Sequence, residues 1–379
     1  MKHLQRLLSV LNLFLVTCFI LGCLTWLLIG AYYCNPNAED LSLSETSRDL
    51  GVIQGISNTM ISYDGRYFTN LLHGLNPLAF NWLEGYKLLP VFAISFFMGC
   101  LFFLLTAIVS TPSRIKLAGL TLLFTSVYLI TKPALVGGPF VMVGTFVYLY
   151  PWSFTFLWVG AYLRYIYCVS DKNSIVWFFI TAISLIACIG MNEMFLITNL
   201  VLLSLFAYSG FRNGTYQLVK TLPVIIIGFG CILFFVTSPG IQERLRSNQL
   251  PDNNFIHLSG IVQSIQDYKT AVINLTSNLV LIIVSILVTV NIGEVKFRYK
   301  MFDYLREPRH TCLLIIGLLS VSYLMTLAFY IPMQLQKDYP FWVFNSAMVP
   351  LQFILVMLFP LVLFRKIKLQ SIHTAGPLL

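Results

Sequence analysis

The chain has 379 residues, 58% of them hydrophobic and 10% charged, with a formal net charge of +9. An ordinary soluble domain is about 25% charged, so this composition excludes a soluble globular enzyme and leaves no basic soluble face on which to read nucleic-acid binding. It describes an all-α polytopic membrane protein built as one transmembrane domain over 1–379, with no separate soluble domain.

The first apolar run, "LLSVLNLFLVTCFILGCLTWLLIGAYY", follows Lys2 and Arg6. It is too long for a signal-peptide core of about 7 to 15 residues and lacks a small-x-small cleavage site, so it reads as a retained first helix. Hydrophobic runs then place helices near 8–31, 89–109, 116–132, 151–168, 174–190, 193–209, 219–237, 273–292, 311–331 and 342–364, about ten spans in all. The stretch 133–150, "PALVGGPFVMVGTFVYLY", carries Pro and Gly residues that oppose a regular lipid-facing helix, and it reads as a short re-entrant or interfacial segment.

Ten spans put both termini on one side. Most of the lysines and arginines, among them Arg114, Lys116, Arg164, Lys172, Arg212, Lys220 and the runs "KFRYKMFDYLREPRH" and "RKIK", fall on the side of the N-terminus, which makes that side cytoplasmic. Most of the acids fall on the opposite side, largely in two long loops, 32–88 and 238–272. The polar breaks "GMNEMF", "SPGIQERLRSNQ" and "QKDYP" share that outer face, so any chemistry is expected there. The eight cysteines fall mostly within or beside apolar runs, without CxxC or Cys/His metal spacing, and read as packing residues.

In the first outer loop, Glu39 and Asp40 stand just beyond the first helix, and a carboxylate held there can accept a proton from an attacking hydroxyl. One such base is sufficient when the leaving group is a phosphate, whereas glycosidases need a second carboxyl to protonate a poor leaving group. Two solvated charges at a helix end explain the pair equally well. The segment "LSLSETSRDLGVIQGISNTMI" has the mixed pattern of a helix lying on the bilayer surface, which folds the loop back over the helix ends and brings Arg66 towards Asp40. In "YDGRYF", Asp64 and Gly65 suit a tight turn, Tyr63 and its neighbours suit the interface, and Arg66 offers a planar fork to a phosphate. Glu193 in "NE" either caps the following helix together with Asn192 or joins the site. Arg244, Arg246 and Lys337 complete the outer-face candidates for a donor phosphate, each also readable as a solvated loop charge.

No P-loop, dinucleotide fingerprint, HExxH or nucleophile elbow is present. A donor used outside the cytoplasm would arrive within the membrane, most simply as a polyprenyl-phosphate sugar.

The acidic pair "AED", the later "DGRYF", the acid of "NE" and the loop "PGIQER" together resemble bacterial GT-C-type membrane glycosyltransferases, especially the small phage-type glucosyltransferases that decorate surface polysaccharide. The resemblance implies a polyprenyl-phosphate-linked sugar as donor, a lipid-linked or cell-surface glycan as acceptor, a plasma-membrane location, and a catalytic base in the first outer loop. It carries the base to Asp40 or Glu39, with Asp40 taken first, and the signature arginine to Arg66. Some members use magnesium or manganese and others no metal; Glu39, Asp40 and Glu193 could supply hard oxygen ligands, without a complete set being readable. The alternatives are a polysaccharide polymerase or O-antigen-ligase-like enzyme, which would act through the arginines of 238–272, and a glycolipid transporter or flippase, for which no internal repeat is visible.

Overall fold

The computed structural model describes residues 2–62, 64–110, 114–130, 140–168, 171–212 and 214–247, with isolated positions between 266 and 324. Among these the chain is helical, and the elements run α1 (Lys2–Tyr32), α2 (Ala38–Leu50), α3 (Val52–Ser62), α4 (Tyr67–Gly74), a short 3-10 turn (Pro77–Phe80), α5 (Leu83–Ile108) and α6 (Arg114–Ile130). After these come α7 (Met142–Gly144), a π-helical run (Thr145–Leu149), α8 (Tyr150–Tyr167), α9 (Asp171–Ile189), α10 (Glu193–Arg212), α11 (Thr215–Val236) and α12 (Pro239–Ser247). Five helices are long and apolar enough to cross a membrane: Leu83–Ile108, Met142–Tyr167, Lys172–Ile189, Glu193–Arg212 and Tyr216–Val236. Shorter apolar stretches, Ile20–Tyr32 and Leu117–Ser126, lie in α1 and α6. The expected spans 273–292, 311–331 and 342–364, together with Tyr63 and Lys337, lie outside the described residues apart from isolated helical positions.

Two sequence expectations change. The single surface helix expected after residue 40 is two helices, because Gly51 takes a positive φ of 81° that ends α2 and turns the chain into α3. The re-entrant segment expected over 133–150 is, from Met142 onward, continuous with the span that follows. The π-helical run has a covalent cause at its C-terminal end. Pro151 has no N–H to give Val147, and the Asn192 side chain donates to that carbonyl instead at 3.2 Å.

The bundle packs around aromatic rings. Phe97 stacks on Tyr128 at 5.0 Å and touches Phe156 at 5.5 Å, while fully buried Trp158 donates to Asn199 Oδ1 at 2.9 Å and ties α8 to α10. Alternating helix directions put Arg114, Arg164, Lys172, Arg212 and Lys220 at the helix ends opposite the 32–82 loop and the 190–193 hairpin. Arg164 is held there by the carbonyls of Gly160 and Phe103 and lies over the Phe103 ring at 3.7 Å. Among the described residues the charge asymmetry expected from sequence is therefore also a segregation between the two ends of the bundle.

At the loop end, α12 closes onto the first loop through Gly240. A Cβ at Gly240 would stand 2.5 Å from the Met60 carbonyl oxygen and 2.7 Å from the Asp64 nitrogen, both backbone atoms that cannot swing aside. Gly240→Ala is expected to cost about 1–3 kcal/mol by overpacking and to lower the melting temperature in detergent. Gly99→Ala, with nothing within 4 Å of its Cβ, leaves it unchanged or higher. Equal melting of the two variants would show that α12 does not seat on the loop.

Candidate functional site

The first turn of α2 begins with Asn37, whose side chain accepts from the Asp40 backbone N–H at 2.7 Å while Asp40 Oδ2 accepts from the Asn37 N–H at 3.3 Å. This capping box draws the Asp40 side chain inward. Its Oδ2 also accepts from the Tyr86 hydroxyl of α5 at 2.5 Å, and Oδ1 accepts from the Val143 N–H at the start of the 142–167 rod at 3.2 Å. Asp40 is 0% exposed and uses both carboxylate oxygens to join three elements. Glu39, one residue earlier, points the other way. It is exposed and, among the described residues, makes no hydrogen bond or ion pair. Partial desolvation, and then the neighbouring charge of Asp40, push the Glu39 carboxyl above its ordinary range, while Arg66 pulls against the shift.

Arg66 sits in the turn before α4, where Asp64 and Gly65 make the expected bend. Asp64 is buried; its Oδ1 accepts from the Arg66 N–H at 3.1 Å and from Asn70 Nδ2 at 2.9 Å. The guanidinium meets Glu193 across 127 positions of sequence: Nε donates to Oε2 at 3.1 Å and Nη2 donates to the same oxygen at 2.8 Å, with Oε1 3.2 Å from Nε. The side chains of Arg66 and Glu193 are 15% and 24% exposed. Burial opposes the guanidinium charge, but Glu193 and Asp64 outweigh it and hold Arg66 above its usual range. Nη1 has no protein partner among the described residues.

The hairpin that presents Glu193 also caps α4. Phe68 N–H donates to the Gly190 carbonyl at 2.9 Å, and the Thr69 hydroxyl donates to the Met191 carbonyl at 2.8 Å. In "NE", Asn192 Oδ1 accepts from the Met194 N–H at 3.0 Å in a cap-like contact, while Glu193 takes the arginine. Gly190 is required because the Tyr67 ring occupies the place of a Cβ.

One group escaped the sequence reading. His73, in the last turn of α4, is 7% exposed, and among the described residues neither ring nitrogen has a hydrogen-bond partner. Burial first, and then the positive field of Arg66, lower its pKa from 6.5 to about 3. The signal in sequence was the spacing Arg66, Asn70, His73, which is one stripe of a helix.

The structure thus brings Glu39, Asp40, Asp64, Arg66 and Glu193 to one end of the bundle, and it seats the Pro239–Gly240 corner of α12 against Asp64. Arg244 and Arg246 fall on α12, with side chains outside the described ones. Among the described residues no three His, Cys, Asp or Glu side chains gather as a metal would need. The three acids expected as ligands do not converge either, since Asp40 faces Tyr86 and Val143 while Glu193 faces Arg66. No family model, curated protein or solved structure matches the chain. The fold among the described residues defines a helical membrane protein, and the site is judged on its geometry alone.

Two outcomes follow for the folded protein. In a double-mutant cycle of Arg66→Lys and Glu193→Gln, thermal unfolding should give a coupling of about 1.5–3 kcal/mol, because a lysine cannot reproduce the two-nitrogen fork. Arg48→Lys, at a side chain 43% exposed, should change little. Additive effects would mean that the pair does not hold the loop. For His73, the unfolded chain takes up a proton near pH 6.5 that the folded chain refuses down to about 3. Its contribution is complete above pH 6.5 and falls as the pH drops through that window. Stability measured across the window should therefore fall less steeply in His73→Phe than in the parent, and identical slopes would show that the imidazole protonates freely in the fold.

Proposed function

We propose that the chain is a glycosyltransferase that moves a sugar from a polyprenyl-phosphate donor to a lipid-linked or surface glycan at the extracytoplasmic face of the bacterial plasma membrane. The observation that carries this reading is the division between two adjacent carboxylates. Asp40 is consumed by the fold, whereas Glu39 is free, raised in pKa and within the field of an arginine. Sequence reading put Asp40 first as the base; because Asp40 is buried with both oxygens occupied, we assign that role to Glu39 and a positioning role to Asp40.

In this reading the acceptor hydroxyl oxygen forms a bond to the anomeric carbon as its proton passes to Glu39. The bond from that carbon to the phosphate oxygen breaks, and its electron pair leaves with the polyprenyl phosphate. A phosphate carries that charge without a general acid, so a second catalytic carboxyl is not required. Arg66 stabilises it through Nη1, while Glu193 and Asp64 hold the rest of the guanidinium in place. A base lifted above the ordinary glutamate range suits proton transfer near neutral pH. The concentration of acids at the loop end and of most lysines and arginines at the opposite end supports placing this face away from the cytoplasm.

Loss of a general base costs about 10²- to 10⁴-fold in rate. Glu39→Gln is expected to lose transfer on that scale at unchanged melting temperature. Asp40→Asn is expected to melt lower, because its amide nitrogen would confront the donors on Tyr86, Asn37 or Val143. The rate should rise with pH as Glu39 deprotonates, with a midpoint above the ordinary glutamate range, and Arg66→Gln should move that midpoint higher by removing the cation that lowers it. Near-normal turnover of Glu39→Gln at saturating donor would remove the first loop from the chemistry. The polymerase or ligase alternative, acting through Arg244 and Arg246, would then take precedence.

A further inference from the structure

The stripe Arg66, Asn70 and His73 runs two turns down α4 from the mouth of the site, a reach of about 10 Å. Asn70 is fixed by Asp64, and Arg66 by Glu193, but His73 ends the stripe with a buried imidazole whose two nitrogens find no partner among the described residues. Leaving a buried donor or acceptor unmatched costs about 1–3 kcal/mol, and a histidine present only for packing would be replaced by Phe without that cost. The wall facing it is the π-helical run, whose Phe146 ring lies 5.4 Å from the imidazole and stacks on Tyr150. Two residues near the site hold that run: Asp40 takes the Val143 N–H just before it, and Asn192 donates to the Val147 carbonyl at its middle. Such π insertions recur where a helix serves a ligand, because their hydrogen bonding is less regular.

We propose that His73 is the sugar-recognition residue of the donor site: with the donor phosphate at Arg66, the attached sugar extends along the α4 stripe, and one of its hydroxyls bonds the imidazole. Phe146 covers His73 in this structure and turns aside to admit the ring, then packs against its C–H face. A neutral imidazole suits the task, since one nitrogen donates and the other accepts, matching a hydroxyl, which does both. A cationic ring would instead repel Arg66, and the site keeps His73 neutral by burial and by that same arginine. The role is one of specificity: His73 touches the sugar, and the proton transfer stays with Glu39. This inference rests on the reading of the donor as a polyprenyl-phosphate sugar.

The test is binding to the full chain in nanodiscs, followed by intrinsic tryptophan fluorescence, with undecaprenyl phosphate and with the same lipid carrying β-linked glucose, galactose or mannose. The parent should bind at least one glycosylated lipid more tightly than the bare phosphate. His73→Phe should bind the bare phosphate as the parent does, lose about tenfold on the glycosylated lipid, and melt no lower than the parent. His73→Gln, which keeps a donor and an acceptor, should retain part of the preference. A His73→Phe variant that keeps the full sugar preference, or that melts several degrees lower in the absence of lipid, would overturn the inference and leave the transferase reading intact. If the parent binds the glycosylated lipids no better than the bare one, the sugar does not reach His73 and the inference fails. If the parent binds none of the lipids, the donor reading itself fails, and the inference with it.

Discussion

The ion pair between Arg66 and Glu193 fixes the geometry of everything at the loop end of this molecule. A loop of 50 residues between two spans would ordinarily be free to move over the surface; here a two-nitrogen fork on Glu193 pins its turn to the hairpin between α9 and α10. The Gly190 carbonyl of that hairpin then takes the Phe68 and Thr69 N–H groups that the helix start leaves open, so α4 begins where the hairpin allows it to begin. From α4 the constraint passes to Asp64, against which the corner of α12 closes. Partial exposure limits what the pair adds to overall stability, and its main consequence is register: it sets which groups meet at the loop end of the bundle.

Within that frame, adjacent residues of one helical turn are given opposite tasks. Successive residues of a helix point about 100° apart, so the turn that buries Asp40 against Tyr86 and Val143 must expose Glu39. The capping box makes the choice: Asn37 draws the third residue of the helix inward, and that residue is Asp40. An acid whose two oxygens are already taken by three donors offers no free oxygen to a substrate hydroxyl. An acid beside it, partly desolvated and repelled by it, gains capacity as a proton acceptor. Burial is the larger influence on both neighbours, and the same arginine tempers the upward shift of Glu39 and adds to the burial that keeps His73 neutral.

Much of this was legible in the sequence and some was not, for definite reasons. The positions of the five long apolar helices follow from hydrophobic runs, because lipid imposes a length that local composition records. The Asp-Gly bend before Arg66 followed from turn chemistry. The partner of Arg66 did not, since nothing local announces a contact 127 positions away. The order of Glu39 and Asp40 was readable in principle from Asn37, two positions before Glu39 and three before Asp40, which is a helix-start signature; reading the acids as a catalytic pair hid it. The break at Gly51 was hidden because the mixed apolar and polar pattern on both sides of it reads as one surface helix. The π-helical run required knowing that Asn192 would stand next to Val147.

The account stands on the claim that this end of the bundle transfers a sugar from a polyprenyl phosphate. The most direct measurement is a paired assay of the purified parent chain in nanodiscs, given a polyprenyl-phosphate sugar labelled in the sugar and a fraction of cell-envelope glycans. The account predicts that label appears in a glycan and that free polyprenyl phosphate appears in equal molar amount. Label that stays on the lipid with every glycan offered, or that is released only as free sugar, would contradict it.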